Sequence, residues 1–523
     1  MAAATGRRDP PPRWAVLCLF LCTTLILLGT LTSAYAYDGV AYSGFVLLAL
    51  LGRDWQNLFQ ANHLLHGPLA YIFALWTGGA AGELPVHLRL QILNALLGGA
   101  TVALLFRVVC KVAEPLAAAS VSLALAFSYA FWHFSTDVEA YTLAALLLVL
   151  ALGLAIQALE STRLRPVALA GAGAGLAALG QIAHGVFGLV SLVVLSCRAR
   201  RSNWLRTGVV FAAPAAAVMA AAFLPLLFGP LALFGAGKRV DFLLGYARPG
   251  AVATHLKPPG SRLAVNLAHA AFAVMARPPL ALSLGIAAGV VALILLAAWG
   301  WRQGSKLQKQ ALVLALGWWS AHLAVFLLWD PNFKYWIAAM VPFAIVGGLA
   351  LQQSTRRLHR FWRPVLFVVP PAALLWWNLP IILEETRPER NRFLQIAQQL
   401  RASTPPDGVV LISGRPPYQE LKVYLPYFAN RRTVILEFLL SSPDRQQLLD
   451  RLEADLSSGN RRFFVLSELI ATPEVVRRLE ADYRLPAGRL EAMLRSQLRR
   501  PVRRLSGDLV LYRLQSRPGS RAQ

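Results

Sequence analysis

Long apolar runs separated by short polar segments occupy the first 383 residues of the chain. An α-helix needs roughly 20 apolar residues to cross the hydrocarbon core of a bilayer. Runs near this length, together with one shorter run, predict about eleven transmembrane helices. The predicted spans are Trp14–Tyr35, Leu90–Phe106, Leu116–Phe131, Ala140–Leu159, Val167–Ala183, Val186–Leu195, Gly208–Phe228, Leu280–Trp299, Ala311–Leu328, Trp336–Leu351 and Val365–Leu383.

Two shorter apolar segments, Gly39–Leu51 and Gly67–Trp76, follow the first predicted span. Both are too short to cross the bilayer and fit helices that lie at its interface. We therefore predict that residues 37–89 form an excursion at one membrane face. The alternative, a further pair of spans, would leave the orientation of every later helix unchanged.

The last 140 residues alternate short strand-like and helix-like patterns, which predicts a soluble α/β domain with a small sheet. Residues 1–383 would then form a transmembrane catalytic domain, and residues 384–523 a second domain. This tail has no Gly-rich phosphate motif and no Gly-x-Ser-x-Gly turn, so we expect it to dock a partner or guide an acceptor. The predicted strands are Val409–Ile412, Thr433–Glu437, Phe463–Leu466 and Leu509–Tyr512, and the predicted helices lie near 392–401, 419–424, 444–456 and 473–480.

Composition excludes a soluble protein. With 56% hydrophobic and 15% charged residues, and a mean hydropathy of +0.51, the 523-residue chain has too few polar side chains to cover a soluble globule. The excess of 51 Lys and Arg over 26 Asp and Glu flanks apolar runs, which indicates membrane topology and not nucleic-acid binding. All four cysteines lie within or at the end of apolar runs, which excludes a disulfide framework or a Cys-based zinc site.

The distribution of basic residues predicts the orientation. Arg7, Arg8 and Arg13 precede the first span and place the N-terminus in the cytoplasm. Alternating from there puts 18 of the 27 basic residues before residue 384 on the cytoplasmic side. The first apolar run is longer than a signal-peptide core, so we predict a retained anchor. An odd number of spans sends the C-terminal domain outside, and frequent Ala and Arg suggest the inner membrane of a high-GC bacterium.

Acidic residues among the spans point to a site, because a charge within lipid costs at least ~2.5–3.5 kcal/mol. Asp38, directly after the first span, would lie at the lipid–water boundary, where partial desolvation raises its basicity and suits it to take a proton from an acceptor hydroxyl. The alternative is a helix N-cap. Seven carboxylates fall on the external side: Asp38, Asp54, Glu83, Asp137, Glu139, Asp241 and Asp330.

A second polar cluster lies between two spans, in residues 132–141. Asp137 and Glu139 could bind a hydroxylated acceptor or a divalent cation, whereas capping of the next helix is the alternative for Asp137. His63 and His66, three residues apart, suit either weak metal ligation or a polar interfacial pair. His184 interrupts two apolar runs at the same level and could contact phosphate or be a structural histidine.

Basic residues on the external side oppose the usual charge bias and so require an anion. Lys334 is one of them, and a lipid phosphate at this depth is the natural partner. The alternative is a solvated loop attracted to lipid headgroups. Six of these residues lie in the long loop between residues 229 and 279: Lys238, Arg239, Arg248, Lys257, Arg262 and Arg277.

These segments resemble the GT-C glycosyltransferases, which take sugars from polyprenyl-phosphate carriers at the external membrane face. The likeness is greatest to the protein O-mannosyltransferase-like branch, and residues 330–342 resemble a segment of lipid A aminoarabinose transferases. The chain departs at Asp38-Gly39-Val40-Ala41, which lacks a second carboxylate, and at His66-Gly67-Pro68, which lacks one proline; both changes bear on the acceptor. The matching segments are Asp38, His66-Gly67-Pro68 with Tyr71, Trp132 with Glu139-Ala140-Tyr141, and Leu179-Gly180-Gln181 with His184.

The resemblance implies a division of roles. Asp38 would be the general base, Asp137, Glu139 and His66 would bind the acceptor, and transfer would invert the anomeric centre. The donor phosphate would be held by His184, Lys334, Tyr335 and Arg239. We therefore predict a membrane glycosyltransferase acting on a lipid, glycan or protein acceptor, with a divalent metal as an open question. A transporter or lipid flippase is the alternative, and a noncatalytic scaffold is a third.

Overall fold

The computed structural model describes residues 10–198, 203–229, 235, 239, 242, 259–326, 332–356, 362–442, 444–458, 461–470 and 473–515. The chain divides into two compact units. The first comprises Met1–Thr32 and Phe45–Thr386, and the second comprises Ser33–Gly44 and Arg387–Gln523. The predicted roles of domains 1–383 and 384–523 stay predictions.

Helices dominate the described part of the first unit. The helix α2 belongs to both units, because its residues before Phe45 fall in the second. The helices are α1 (Arg13–Gly29), α2 (Tyr37–Leu50), α3 (His66–Trp76), α4 (Val86–Val109), α5 (Pro115–Phe127), α6 (Tyr129–Ser135), α7 (Ala140–Glu160), α8 (Leu164–Gly180), α9 (Gly185–Arg198), α10 (Trp204–Leu227), α11 (Pro259–Val274), α12 (Leu280–Gly300), α13 (Lys306–Phe326), α14 (Trp336–Arg356) and α15 (Trp362–Glu385).

The polytopic helical fold predicted from the sequence is confirmed. Each of the eleven predicted spans overlaps a helix or, for the third, the successive helices α5 and α6. By length and apolar composition alone, six helices of the described residues can cross a membrane, or seven if α5 and α6, bent by 65°, count as one broken span. The two short apolar segments are the helices α2 and α3, whereas α11 lies in a segment predicted as a loop.

Glycines on α8 allow close packing against α10. A methyl group on Gly171 would come within 1.9 Å of the carbonyl oxygen of Phe211, and one on Gly175 within 2.8 Å of that of Ala215. Small residues four apart let helix backbones approach in a bilayer, where van der Waals contact and not hydrophobic burial drives association. The Gly171–Gly175 spacing therefore fixes the α8–α10 contact.

The break between α5 and α6 is stabilised by an asparagine on α15. Asn378 is fully buried, and its amide nitrogen donates to the carbonyl oxygens of Phe127 at 2.8 Å and Val274 at 3.0 Å. Its amide oxygen accepts from the backbone nitrogen of Ala276 at 2.9 Å. Because backbone groups freed within lipid must find partners, this side chain supports the bend that directs α6 towards the polar residues 136–139.

The C-terminal part of the second unit is the α/β sheet domain that the sequence predicts. Its five strands are ordered β2-β1-β3-β5-β4, with β1 parallel to β2 and β3, and β5 antiparallel to β3 and β4. The strands are β1 (Val409–Ile412), β2 (Arg432–Ile435), β3 (Phe463–Leu466), β4 (Leu498–Arg504) and β5 (Val510–Gln515). The helices are α16 (Arg392–Ser403), α17 (Leu421–Tyr424), α18 (Leu436–Ser441), α19 (Arg445–Ser458), α20 (Pro473–Asp482) and α21 (Arg489–Arg495).

The N-terminal segment Ser33–Gly44 packs within this second unit. Val40 is buried in the same apolar cluster as Leu394 and Val410. The Tyr424 hydroxyl donates to the carbonyl oxygen of Tyr35 at 2.7 Å, and the amide nitrogen of Asn391 donates to that of Ser33 at 2.6 Å. A short stretch after the first span is thus held by the C-terminal sheet domain.

Candidate active site

The turn between α6 and α7 carries the two predicted acidic residues, and α4 holds its backbone in place. Asn94 on α4 donates from one amide nitrogen to the carbonyl oxygens of Asp137 at 2.7 Å and Glu139 at 2.9 Å. One turn earlier, Gln91 donates to the carbonyl oxygens of Thr32 and Thr136, both at 2.7 Å. Because all of these groups are buried, the turn is fixed by hydrogen bonds that water cannot replace.

Glu139 faces Lys334 inside the bundle. The Glu139 side chain is fully buried, the Lys334 side chain is 13% exposed, and Lys334 Nζ lies 4.0 Å from Glu139 Oε1. Nζ also lies 5.1 Å from the centroid of the Tyr141 ring, within cation–π range. A carboxylate withdrawn from water requires compensation of this kind. The sequence predicted both residues separately as site residues, and the fold brings them together.

A short 3₁₀ turn, Phe333–Tyr335, delivers Lys334 at the start of α14. The Asn332 side chain accepts from the Lys334 backbone nitrogen at 3.1 Å, which caps the turn. His322 Nε2 on α13 lies 3.1 Å from the carbonyl oxygen of Tyr335. These contacts, which sequence analysis missed, fix the direction in which the lysine leaves the backbone.

Tyr141 is the centre of an aromatic group around this ion pair. Its ring lies 5.9 Å from that of Tyr335 and 5.1 Å from that of His63, in both cases edge-on. His63 Nδ1 is 3.1 Å from the carbonyl oxygen of Gly180. Tyr335, a predicted phosphate-binding residue, therefore lies beside the ring that Lys334 contacts.

His184 lies near Tyr141. It is 1% exposed and lines a narrow pocket with Tyr141, Gln181 and Ile337. The Trp318 ring lies 6.1 Å away, edge-on to the imidazole. Glu139, Lys334, Tyr335 and His184 thus all lie around one tyrosine, and their predicted roles towards acceptor and donor phosphate stay predictions.

Asp137 and His66 are also buried, each in its own local setting. Asp137 Oδ1 accepts from the Val138 backbone nitrogen at 2.7 Å, so that one oxygen stabilises the turn. His66 is the first residue of α3, and burial, with a smaller effect of neighbouring His63, lowers its pKa to about 3. A neutral His66 can accept or donate a hydrogen bond but carries no charge to hold an anion.

Arg239 lies against Phe228, just after α10, with its guanidinium carbon 5.0 Å from the ring centroid. Other candidates from the same loop and the next, Lys238, Asp241, Arg248, Lys257 and Asp330, lie outside the described residues. Arg277 is described and has a positive φ of 49°, directly after α11 and its short extension.

Asp38 belongs to the second unit. It lies in the first turn of α2 and is half-buried, on the segment that the Tyr424 and Asn391 side chains hold. Its role as the general base stays a prediction.

Three polar residues that sequence analysis did not single out form a hydrogen-bonded cluster near the acidic turn. His133 Nδ1 lies 2.9 Å from Glu385 Oε2, and the Tyr129 hydroxyl donates to Glu385 Oε1 at 2.5 Å. Glu385 could have been noticed in the sequence, because it is an acidic residue at the end of the last apolar run. It was interpreted as part of the boundary between the two domains. Among the described residues, no group of three or more His, Cys, Asp or Glu is arranged to hold a metal ion.

No protein-family model matches the chain, and no curated protein matches it. Solved structures do. ArnT from Cupriavidus metallidurans, bound to undecaprenyl phosphate, is similar over 98% of both chains, with a TM-score of 0.63 and 14% identity. The Archaeoglobus fulgidus oligosaccharyltransferase, in complex with Zn and sulfate, is similar over 92% of this chain and 71% of that chain, with a TM-score of 0.55 and 15% identity.

The chain has the GT-C glycosyltransferase fold. The resemblance seen in the sequence is therefore confirmed at the level of the fold. The Saccharomyces cerevisiae protein O-mannosyltransferase Pmt1–Pmt2 complex, bound to its sugar donor, is similar over 51% of this chain and 37% of that chain, with 17% identity and a TM-score of 0.31, too low to bear on the fold. At such identities a likeness extends to the fold and not to the chemistry of particular side chains.

Proposed function

We propose that the chain is a membrane glycosyltransferase that takes a sugar from a polyprenyl-phosphate donor and transfers it to an acceptor. The observation that carries this proposal is the Glu139–Lys334 pair at 4.0 Å, an acid and a cation retained inside an apolar bundle. Ionisable residues within membrane segments are rare and mark function. The fold of ArnT, solved bound to undecaprenyl phosphate, supports the donor class.

Lys334 suits the donor phosphate. When the acceptor oxygen attacks the anomeric carbon, the bond from that carbon to the phosphate oxygen breaks and negative charge grows on the leaving phosphate. A buried ammonium, with Tyr335 and His184 beside Tyr141, can stabilise that charge in a low-dielectric site. Arg239 would supply a further cation from the loop. Direct displacement of this kind inverts the anomeric centre.

The acceptor hydroxyl must lose a proton in the same step. Asp38 is our candidate for this base, and Glu139, Asp137 and His66 would bind the acceptor. The acceptor is a lipid, glycan or protein, and transfer would take place at the extracytoplasmic face of a bacterial inner membrane. In this orientation the N-terminus is cytoplasmic, and the C-terminal domain is extracytoplasmic and guides the acceptor.

The experiment is a transfer assay with purified protein, radiolabelled polyprenyl-phosphate sugars and an envelope acceptor fraction. Wild type should form a labelled glycosidic product. The transfer rate of Asp38→Asn should be at least 100-fold lower. Glu83→Gln, at an exposed acidic residue, should transfer at the wild-type rate. Equal transfer by wild type and Asp38→Asn would remove Asp38 from the mechanism. Sugar movement across vesicles without a new glycosidic bond would favour the alternative, a transporter or flippase.

A further inference from the structure

The cluster of Glu385, His133 and Tyr129 has no role in the proposed function described above. Glu385 is the last residue of α15, and the other two residues lie on the short helix α6. The carboxylate holds the imidazole through Oε2 at 2.9 Å and the phenol through Oε1 at 2.5 Å. The Glu385 and His133 side chains are 15% and 9% exposed, so both are largely buried but remain partly accessible to solvent.

The carboxylate determines which nitrogen of His133 carries the proton. A carboxylate can only accept, so Nδ1 must donate to Glu385. The other nitrogen, Nε2, then presents a lone pair in the neutral imidazole and an N–H group in the imidazolium. Among the residues that the structure describes, Nε2 has no hydrogen-bond partner. The cluster therefore presents one hydrogen-bonding nitrogen of defined direction.

Aromatic rings surround the His133 imidazole. His133 stacks on Tyr129 with 5.5 Å between ring centroids, and the Phe134 and Phe333 rings lie 4.9 and 6.3 Å away. Phe333 directly precedes Lys334, and the acidic turn follows α6 at once, so the cluster adjoins the Glu139–Lys334 pair. Apolar rings with a few directed polar groups are the usual lining of a site for small hydroxylated molecules.

We propose that His133 Nε2 forms a hydrogen bond with a hydroxyl group of a carbohydrate-class acceptor. Glu385 and Tyr129 are positioning residues that hold the imidazole ring in the required orientation. The proposal rests on the proposed function and names a binding residue for its acceptor. It assigns to His133 a hydroxyl other than the one that attacks the donor.

Kinetics with the full-length protein test this role. His133→Ala should raise the acceptor concentration for half-maximal transfer about tenfold, as for one lost hydrogen bond, with a change in kcat below about threefold. His133→Gln should restore wild-type behaviour to within about threefold, because its amide can occupy the place of Nε2. Glu385→Ala, which removes the acceptor for Nδ1, should resemble His133→Ala, whereas Glu384→Ala, at the neighbouring carboxylate, should resemble wild type. An unchanged acceptor dependence in His133→Ala would overturn the proposal, as would equal defects in the Ala and Gln variants.

A chemical readout separates this proposal from the proposed function. Diethyl pyrocarbonate modifies unprotonated imidazole nitrogens, and mass spectrometry locates the modified histidines. His133 should be modified in wild type and protected by the acceptor fraction, while His269, half-buried on α11, should be modified equally with and without it. If wild type transfers no sugar, the proposed function fails, and protection of His133 still decides the binding site. No modification of His133, or no protection, contradicts the proposal in either case.

Discussion

The side-chain amide of Asn94 donates to the carbonyl oxygen of Glu139 at 2.9 Å. A residue on α4 thus fixes the position of Glu139 in the turn between α6 and α7. The same nitrogen reaches the carbonyl oxygen of Asp137 at 2.7 Å. Both carbonyls belong to buried residues. The orientation of the Glu139 carboxylate towards Lys334 therefore depends on a side chain that has no chemistry of its own to contribute.

Asn94→Asp should lower sugar transfer at least tenfold without abolishing membrane insertion. The substitution keeps the shape of the side chain but replaces the donor by an acceptor, which leaves two buried carbonyls unsatisfied at a cost of about 1–3 kcal/mol. Transfer rate and the thermal midpoint in detergent are the measurements. Asn203→Asp, at an exposed asparagine that makes no capping bond, is the matched control. Wild-type transfer by Asn94→Asp would show that the turn does not need this support.

The Glu139–Lys334 pair should behave as one unit in a double-mutant cycle. Glu139→Gln and Lys334→Met should each lower transfer at least 100-fold, in the range seen for groups that stabilise developing charge. The double variant should be little worse than either single one, because each single change leaves the other charge buried without its partner. Additive losses would mean that the two residues act independently. Arg461 and Asp455, an exposed pair at 2.8 Å, should show almost no coupling in stability.

Gly171→Leu should destabilise the helical unit by about 1–3 kcal/mol or more, because the side chain has no space between α8 and α10. Unfolding in detergent, followed by helical circular dichroism, measures the effect. Gly289→Leu is the control, since Gly289 on α12 is exposed and a methyl group there would meet nothing within 4 Å. Equal stability of the two variants would show that α8 and α10 can move apart without a loss of stability.

Glu468 makes the stability of the sheet domain depend on pH. Burial raises the pKa of this carboxyl above its ordinary value, although Ser413 donates to it from its backbone nitrogen at 2.9 Å and its hydroxyl at 3.0 Å. The folded state thus holds the proton more tightly than the unfolded state does. The stability from this group is complete below the unfolded pKa and is lost as the pH rises through the folded pKa.

Glu468→Gln should remove that dependence. Relative to wild type, the variant should therefore become more stable as the pH rises from about 4 to 7. Thermal unfolding of the sheet domain across this range is the measurement. A stability difference that stays constant with pH would contradict the raised pKa.

The sequence predicted the helices well because lipid imposes a simple length rule on apolar runs. Each predicted span matches helical residues, and β1 and β3 were placed at their observed limits. The prediction missed β4, whose sequence Leu-Arg-Arg-Pro-Val-Arg-Arg lacks an apolar alternation. Its position explains the miss, since an edge strand can carry charges and a proline that an interior strand cannot.

The candidate site was predictable only in part. Carboxylates among apolar runs stand out, so Glu139 and Lys334 were visible, but their pairing depends on helices nearly 200 residues apart in sequence. Asn94 and Asn378 donate hydrogen bonds to backbone carbonyls of distant segments, and no sequence spacing predicts such contacts. Glu385 was hidden for another reason, because a charged residue at the end of an apolar run is the normal pattern of a span boundary.

The bond from Tyr424 to Tyr35 joins residues 389 positions apart. The sheet domain therefore holds the segment that carries Asp38 in place, and removing the domain would disturb that segment. A protein shortened after Thr386 would leave that stretch without its anchor and bare the apolar side chain of Val40. Loss of transfer in such a truncation would therefore reflect the loss of these contacts to the Asp38 segment, and it would not by itself show that the sheet domain recognises the acceptor.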